Sequence, residues 1–417
     1  MSCTKPNACA EECFTAKIED KGGAELDSRF DRVISREKTA SIKWDGRKQK
    51  FGRDDVIPMW VADMDFASPE CVIEALHNRV RHGVFGYTVR DDAFNEAVVG
   101  WLLRRHQWTI QPEWVSQASG VVPALNYLIQ ALTELGDGII IQPPVYHPFA
   151  RLIKSHHRQL LTNPLQERAG KYVMDYADLE AKAAAGAKLL ILCSPHNPVG
   201  RVWTREELER AGEICLRHGV TVIADEIHSD LVYAPHRHTP FASISKDFSM
   251  NSVTTLAPSK TFNVAGLNTA LVVAEREDLR TRYRDMIQLQ SAGSINVLGA
   301  QALKAAYSGG DAWLDDLLRY LAGNIDYLKS QLQSLAPRVR VTDTEGTYLV
   351  WLDFRELGMT PEQLKEWLVH EVGLGLESGE TYGEEGVGFQ RINVGCPRSV
   401  LEEAVQRLLK GVKSLDK

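Results

Sequence analysis

Long apolar runs are missing. No stretch of the 417-residue chain approaches the roughly 18 consecutive apolar residues that cross a bilayer, which argues against a membrane-spanning protein. The opening MSCTKPNACAEECFTAKIEDKGG has no apolar core of the kind a secretory signal carries, so residues 1–27 read as a flexible leader. A surplus of positive charge is missing too. With 48 Lys and Arg against 55 Asp and Glu, a net charge of −7, no basic field recruits nucleic acid or an anionic membrane. Cysteine is sparse and odd in number, seven in all, a usage that fits reduced thiols in a cytoplasm rather than a disulfide framework. Cys3, Cys9 and Cys13 cluster without CxxC spacing or a nearby His, and the histidines of PHRHTP (235–240) and His156-His157 read as solvated loop residues, so no metal is expected. There is no G-x-G-x-x-G, since GLGLESG (373–379) has the wrong spacing, and HEVGL (370–374) lacks the second His of a zinc protease. Internal repeats and low-complexity tracts are absent.

What remains is a repeated grammar: a short apolar run, a break, and a polar or aromatic group at the break. It occurs in DGIIIQPPVYHPF (137–149), AKLLILCSPHNPVG (187–200), HGVTVIADEIHSD (218–230) and NSVTTLAPSKTF (251–262). Apolar runs without alternation suit strands covered on both faces, as in a parallel sheet. Helical segments lie between them; TREELERAGEICLRHG (204–219) has a Thr cap, Glu207 three residues on, and a closing Gly. Strand alternating with helix predicts an α/β fold with a mostly parallel, doubly wound sheet. In such sheets ligands sit outside the carboxyl ends of the strands, where Tyr146, Asn197, Asp225 and Lys260 are stationed. WVSQASGVVPALNYLIQALTELG (114–136) adds a strand, a turn at Gly120, and a helix opened by Pro123 and closed by Gly136. The amides of Gly120, Val121 and Val122 at that helix start would hold an anion such as a phosphate.

After about residue 300 the texture changes. A long amphipathic helix at 315–341, strands at 346–354 and 388–395, and a helix at 361–372 predict a second, α+β domain. The division expected is a segment at 28–75 joining the small domain, a large cofactor-binding domain at 76–300 and the small domain at 301–417.

The four residues at the breaks meet the needs of pyridoxal phosphate in chain order. Lys260 offers an amine for the aldehyde. Asp225 at a buried strand end can keep the ring nitrogen protonated, the Asn197 amide can donate to the ring oxygen, and Tyr146 can stack on the ring face.

The series SPHNPVG, then ADEIH with Asp225 28 positions after Asn197 (225 minus 197), then APSKTFNVAGL with Lys260 35 positions further (260 minus 225), resembles fold-type I pyridoxal-phosphate enzymes of the aminotransferase class I/II superfamily. VIPMWVADMDFASPE (56–70), GVFGYT (83–88), SGVVPAL (119–125), PPVYHPF (143–149) and RINVGCPR (391–398) narrow the resemblance to the MalY/PatB-type carbon-sulfur β-lyases, from about residue 28 to the C-terminus. The resemblance implies a small domain beside the large one, and β-elimination of L-cysteine thioethers such as cystathionine to a thiol, pyruvate and ammonia. It implies Lys260 as Schiff-base lysine and then general base, with Tyr146, Asn197, Asp225, His228 and Ser259 around the cofactor. Arg391 would bind the substrate α-carboxylate beside Ala62 and Asp63, and Tyr87 would reach the phosphate of a neighbouring subunit in a homodimer. Many aminotransferases of this fold carry a Tyr three residues after the aspartate, a Ser or Thr three before the lysine and an Arg eight after it; here those positions are His228, Ala257 and Asn268. The rival readings are an aminotransferase using the same residues and an added role in binding a regulator through a surface patch.

Overall fold

The computed structural model describes residues 29–168 and 170–415; the leader and its three cysteines lie outside them. Seven strands build the main sheet: β1 (Val115–Ala118), β2 (Gly138–Ile141), β3 (Gln159–Thr162), β4 (Leu189–Cys193), β5 (Thr221–Asp225), β6 (Ser252–Leu256) and β7 (Ala270–Val273). Their spatial order is β1-β7-β6-β5-β4-β2-β3. The run from β6 to β3 is parallel, and β7 runs antiparallel to both neighbours.

The strands are short, apolar and mostly buried because helices cover both faces. Leu190, Leu192, Val222 and Ala224 pack on one side against Leu208, Ala211 and Ile214 of helix Arg205–His218. Leu189, Ile191 and Ile223 pack on the other against Leu125, Leu128 and Ile129 of helix Val121–Leu132. The alternation follows the two-residue period of a pleated strand. A four-stranded antiparallel sheet, β8 (Arg340–Val341), β9 (Leu349–Asp353), β10 (Glu377–Ser378) and β11 (Phe389–Asn393), has the order β8-β9-β11-β10. Helices Asp311–Leu335 and Arg398–Ser414 bury their Leu-rich stripes against it. Arg201, 2% exposed, ties the loop after β4 to the approach to β9, with Nε 2.8 Å from Glu345 Oε2 and Nη2 2.7 Å from Glu207 Oε2.

Several local expectations need adjustment. The capping box at Thr204 and Glu207 forms. The helix expected to open at Pro123 starts at Val121, placing Pro123 third within the first turn, where its missing N–H costs nothing; it ends at Leu132, before Gly136. The long helix occupies Asp311–Leu335, and Arg340–Val341 beyond it is a strand. The loop histidines divide. His157 is exposed, but His156 bonds Asn126 at 2.7 Å. The His238 side chain is 2% exposed, with Nε2 3.1 Å from the buried carboxylate of Glu226 and its ring edge-on to His106 at 5.5 Å. An acid 12 residues away in sequence draws this imidazole inward, a pairing that loop composition alone does not reveal.

Gly212 gives a test of the packing. A Cβ there would meet the Phe248 ring at 2.4 Å and Phe241 at 3.1 Å, two rings stacked at 5.0 Å. Gly212→Ala should therefore lower the urea midpoint, corresponding to about 1–3 kcal/mol of overpacking, although alanine is the better helix former by about 1 kcal/mol. An unchanged or raised midpoint would show that the rings yield.

Candidate active site

The carboxyl ends of β4, β5 and β6 and the start of helix Val121–Leu132 enclose a cavity of about 490 Å³. The local sequence explains each position. Beyond β6, Pro258 opens a one-turn helix, Pro258–Thr261, that carries Ser259 and Lys260 into the cavity. Asp225 is the last residue of β5, paired with Cys193 and Thr255 on either side. Asn197 sits in the turn after β4. That turn requires Gly200, whose φ is +73° and whose Cβ would lie 3.2 Å from Thr344 Cα. Tyr146, His228 and Ala62 complete this wall, with Gly120, Val121 and Val122 opposite.

Burial controls the electrostatics. It pushes the Asp225 carboxyl up to about 7, against two bonds that favour the anion. Oδ1 accepts from the Ile227 amide at 3.2 Å and from Thr255 Oγ1 at 3.4 Å. The same burial, with the Arg391 charge second, pushes the Lys260 amine down to about 8, while Asp63 and Asp225 pull it back up. The Lys260 amine donates to the Ala62 carbonyl at 2.6 Å. His228 is pushed down to about 3 by burial and by the charges of Lys260 and Arg391, so its ring is neutral, and its buried Nδ1 has no partner. Burial also raises the Tyr146 phenol, followed by the Asp225 charge.

Arg391, together with residues that local pattern did not single out, holds this wall in place. Trp60–Phe66 belongs to no helix or strand, and side chains remote in sequence satisfy its carbonyls. Arg391 Nη2 donates to Trp60 O at 2.6 Å, and Asn393 Nδ2 donates to Val61 O and Asp63 O, both at 2.6 Å. Tyr348 shares Ala62 O at 3.0 Å, and Asn263 donates to Met64 O at 2.9 Å and Phe66 O at 2.8 Å. Arg391 Nη1 also donates to Asn197 Oδ1 at 3.0 Å, leaving the Asn197 amide nitrogen for a ligand and the buried Arg391 Nε without a partner. The only sequence signal for Asn393 is a polar side chain interrupting the apolar run INV. Asp63 comes close, but its carboxylate is engaged by Arg36 at 2.9 and 2.7 Å. Tyr87 is not brought in: it is fully exposed, as are Val84 and Phe85 beside it in large part.

The site fits a flat aromatic group with a basic ring nitrogen, a ring oxygen, an aldehyde and a phosphate. Asp225 is a carboxyl that needs a cation to ionise fully at neutral pH. Asn197 and His228, whose buried Nδ1 has no partner, line the cavity, and Lys260 supplies an amine that gives up its proton more readily than an ordinary lysine. At the anion end the lining consists of Ser119, Ser259, Asn268, Thr269 and the helix start, with no arginine, so hydroxyls and amides must grip a phosphate.

The aminotransferase class I and II family pattern matches residues 54–408. Cystathionine beta-lyase PatB of Bacillus subtilis (strain 168) is 44% identical over 380 residues, covering 91% of this chain and 98% of that protein. Protein MalY of Escherichia coli (strain K12) is 36% identical over 390 residues, covering 93% and 99%. Among solved structures, cystalysin from Treponema denticola, which contains a pyridoxal 5'-phosphate cofactor, superposes with a TM-score of 0.90 at 36% identity, covering 93% of this chain and 99% of that one.

Two outcomes follow from the geometry. In cofactor-free protein, limiting formaldehyde and borohydride should methylate Lys260 first, with a pH midpoint near 8. At that pH roughly half of this amine is neutral, against about 0.3% of an ordinary lysine; peptide mass spectrometry showing a midpoint near 10 would refute the depressed pKa. Asn393→Ala should remove about 3 kcal/mol or more of stability in urea unfolding, because two strap carbonyls and the Gly395 amide lose their partner at once.

Proposed function

The chain belongs to the aminotransferase class I and II family and, within it, to the group of carbon-sulfur lyases that includes PatB and MalY, and from this premise we propose that it is a pyridoxal-phosphate-dependent β-lyase acting on L-cysteine thioethers, cystathionine or another cysteine S-conjugate. The overall change is thioether plus water to thiol, pyruvate and ammonium. The observation that carries the reading is that half-buried Lys260 and buried Asp225 line one cavity near Arg391, the lysine and the aspartate both shifted toward neutrality.

When bound, pyridoxal phosphate supplies an aldehyde carbon and an electron-accepting pyridinium ring. Lys260 anchors the aldehyde carbon. The same amine would take the Cα proton, a task suited to a base whose proton affinity the site lowers toward neutrality. Asp225 would pair with the ring nitrogen and keep it protonated, and that charge pair would bring Asp225 back to the ionised form. The Asn197 amide and neutral His228 would hold the ring oxygen, and Tyr146 would pack on the ring. Ser259 and the amides of Gly120, Val121 and Val122 hold the phosphate.

Arg391 binds the substrate α-carboxylate in the planar, two-pronged manner that a guanidinium favours. With the Ala62 carbonyl receiving the Lys260 amine, the Cα–H bond is directed at the base, a positional contribution. Ala62 lies against the substrate, and Asp63 acts on it through its field. The sulfur departs without a strong acid because a thiol ionises near pH 8.5. Two copies of the chain form a homodimer in which exposed Tyr87 and its apolar neighbours meet the second subunit, Tyr87 reaching that subunit's phosphate site. No helix among the described residues is long and apolar enough to cross a membrane, and the unpaired Cys71, Cys193, Cys215 and Cys396 suit a cytoplasmic setting.

The test is pyruvate release from L-cystathionine by the pyridoxal-phosphate-loaded protein without any keto acid. Sustained release is expected, reduced roughly 100-fold or more in Lys260→Ala. A single turnover that continues only after a keto acid is added would identify an aminotransferase instead.

A further inference from the structure

The wall that carries Arg391 holds a second set of charges that the reaction above does not use. Glu377 faces Arg391 across the antiparallel ladder of β10 and β11, so the two side chains leave the same face of the sheet, with Cβ atoms about 5 Å apart. The Glu377 side chain is 8% exposed, and a carboxylate so deep needs a cation. Its partner is Lys50, Nζ to Oε1 3.1 Å, because the guanidinium of Arg391 is directed to Asn197 and the Trp60 carbonyl.

Lys50 lies over the Trp60 ring, 4.8 Å from its centroid, and is 37% exposed. It is therefore far more open to solvent than the carboxylate it pairs with. The His147 ring is 5.4 Å from that of Tyr146 and 6.1 Å from that of Tyr382. Arg151 follows one helical turn later. The charges of Glu377, Arg391, Arg151 and Lys50 all act on the His147 imidazole, so these groups lie in one neighbourhood. The buried Tyr382 hydroxyl among them has no partner.

One deep carboxylate flanked by cations, next to the arginine that fixes the α-carboxylate, is complementary to a zwitterion. We propose that Glu377 and Lys50 form a subsite for a second amino-acid head group carried on the leaving sulfur. Glu377 receives the distal ammonium, and Lys50, released from Glu377, receives the distal carboxylate with Arg151 nearby. The ion pair seen in the chain is exchanged for two ion pairs to the ligand. This inference rests on the β-lyase reading and narrows it: the preferred thioether has an α-amino acid at both ends, and a plain S-alkyl cysteine leaves the subsite unused.

The experiment compares kcat/KM for L-cystathionine and S-ethyl-L-cysteine, by pyruvate release, in the pyridoxal-phosphate-loaded chain and in Glu377→Gln and Lys50→Met. Each variant should lose at least tenfold on L-cystathionine, mainly through KM, and change less than twofold on S-ethyl-L-cysteine. Equal losses on both substrates, or none on either, would overturn the subsite while leaving the lyase intact. If the parent chain turns over neither substrate, the β-lyase reading itself fails. Should Glu377→Gln show a lowered unfolding midpoint, the more exposed Lys50→Met decides by the same comparison.

Discussion

A buried backbone carbonyl must find a donor, and Trp60–Phe66 has no helix or sheet in which to find one. The active site is organised around meeting that demand. Arg391, Lys260, Tyr348, Asn263 and Asn393 all donate to this strap, so the acceptors that satisfy the backbone also set the positions of a cation and an amine. Beneath them, Asp65 is held by Lys43 at 2.6 Å and Arg36 at 2.8 Å, which fixes the strap from its other side. Side chains with their own rotamers locked in this way can hold a reacting group within the fraction of an ångström that catalysis needs.

The same enclosure sets the site's electrostatic character. Asp225 and Lys260 are each less inclined to carry charge than in water, which a protein selected for stability alone would avoid. The unfavourable burial becomes useful when a ligand brings a ring cation for the one and an aldehyde for the other. Asn268, in a left-handed conformation with φ 50° where related enzymes carry an arginine, leaves the anion end neutral. A phosphate there would be held by dipoles, which are directional and less screened by salt than a surface charge.

Much of this was legible because its causes are local. Apolar runs ending in a polar residue placed Asn197, Asp225 and Lys260 at strand ends, and the spacing of Thr204 and Glu207 announced a helix start. What was not legible depends on partners far along the chain. Nothing near His238 in sequence announces the carboxylate that buries it, and nothing near Asp63 announces that Arg36 occupies its oxygens. Asn263, Tyr348 and Asn393 look like ordinary polar interruptions until the strap lies beside them. Tyr87 is the opposite case: a chain pattern marks it, while the fold of one chain leaves it facing solvent.

The strap also bears on how the protein is made. Trp60 leaves the ribosome early, yet the arginine that caps its carbonyl is 331 positions downstream, and the asparagine serving Val61 is 332 downstream. The parallel strands β2 to β6 are all synthesised before those donors, so the strap waits on the last part of the fold to be paired. The strap therefore finds these donors only once β11 is present, although they lie more than three hundred positions away in sequence.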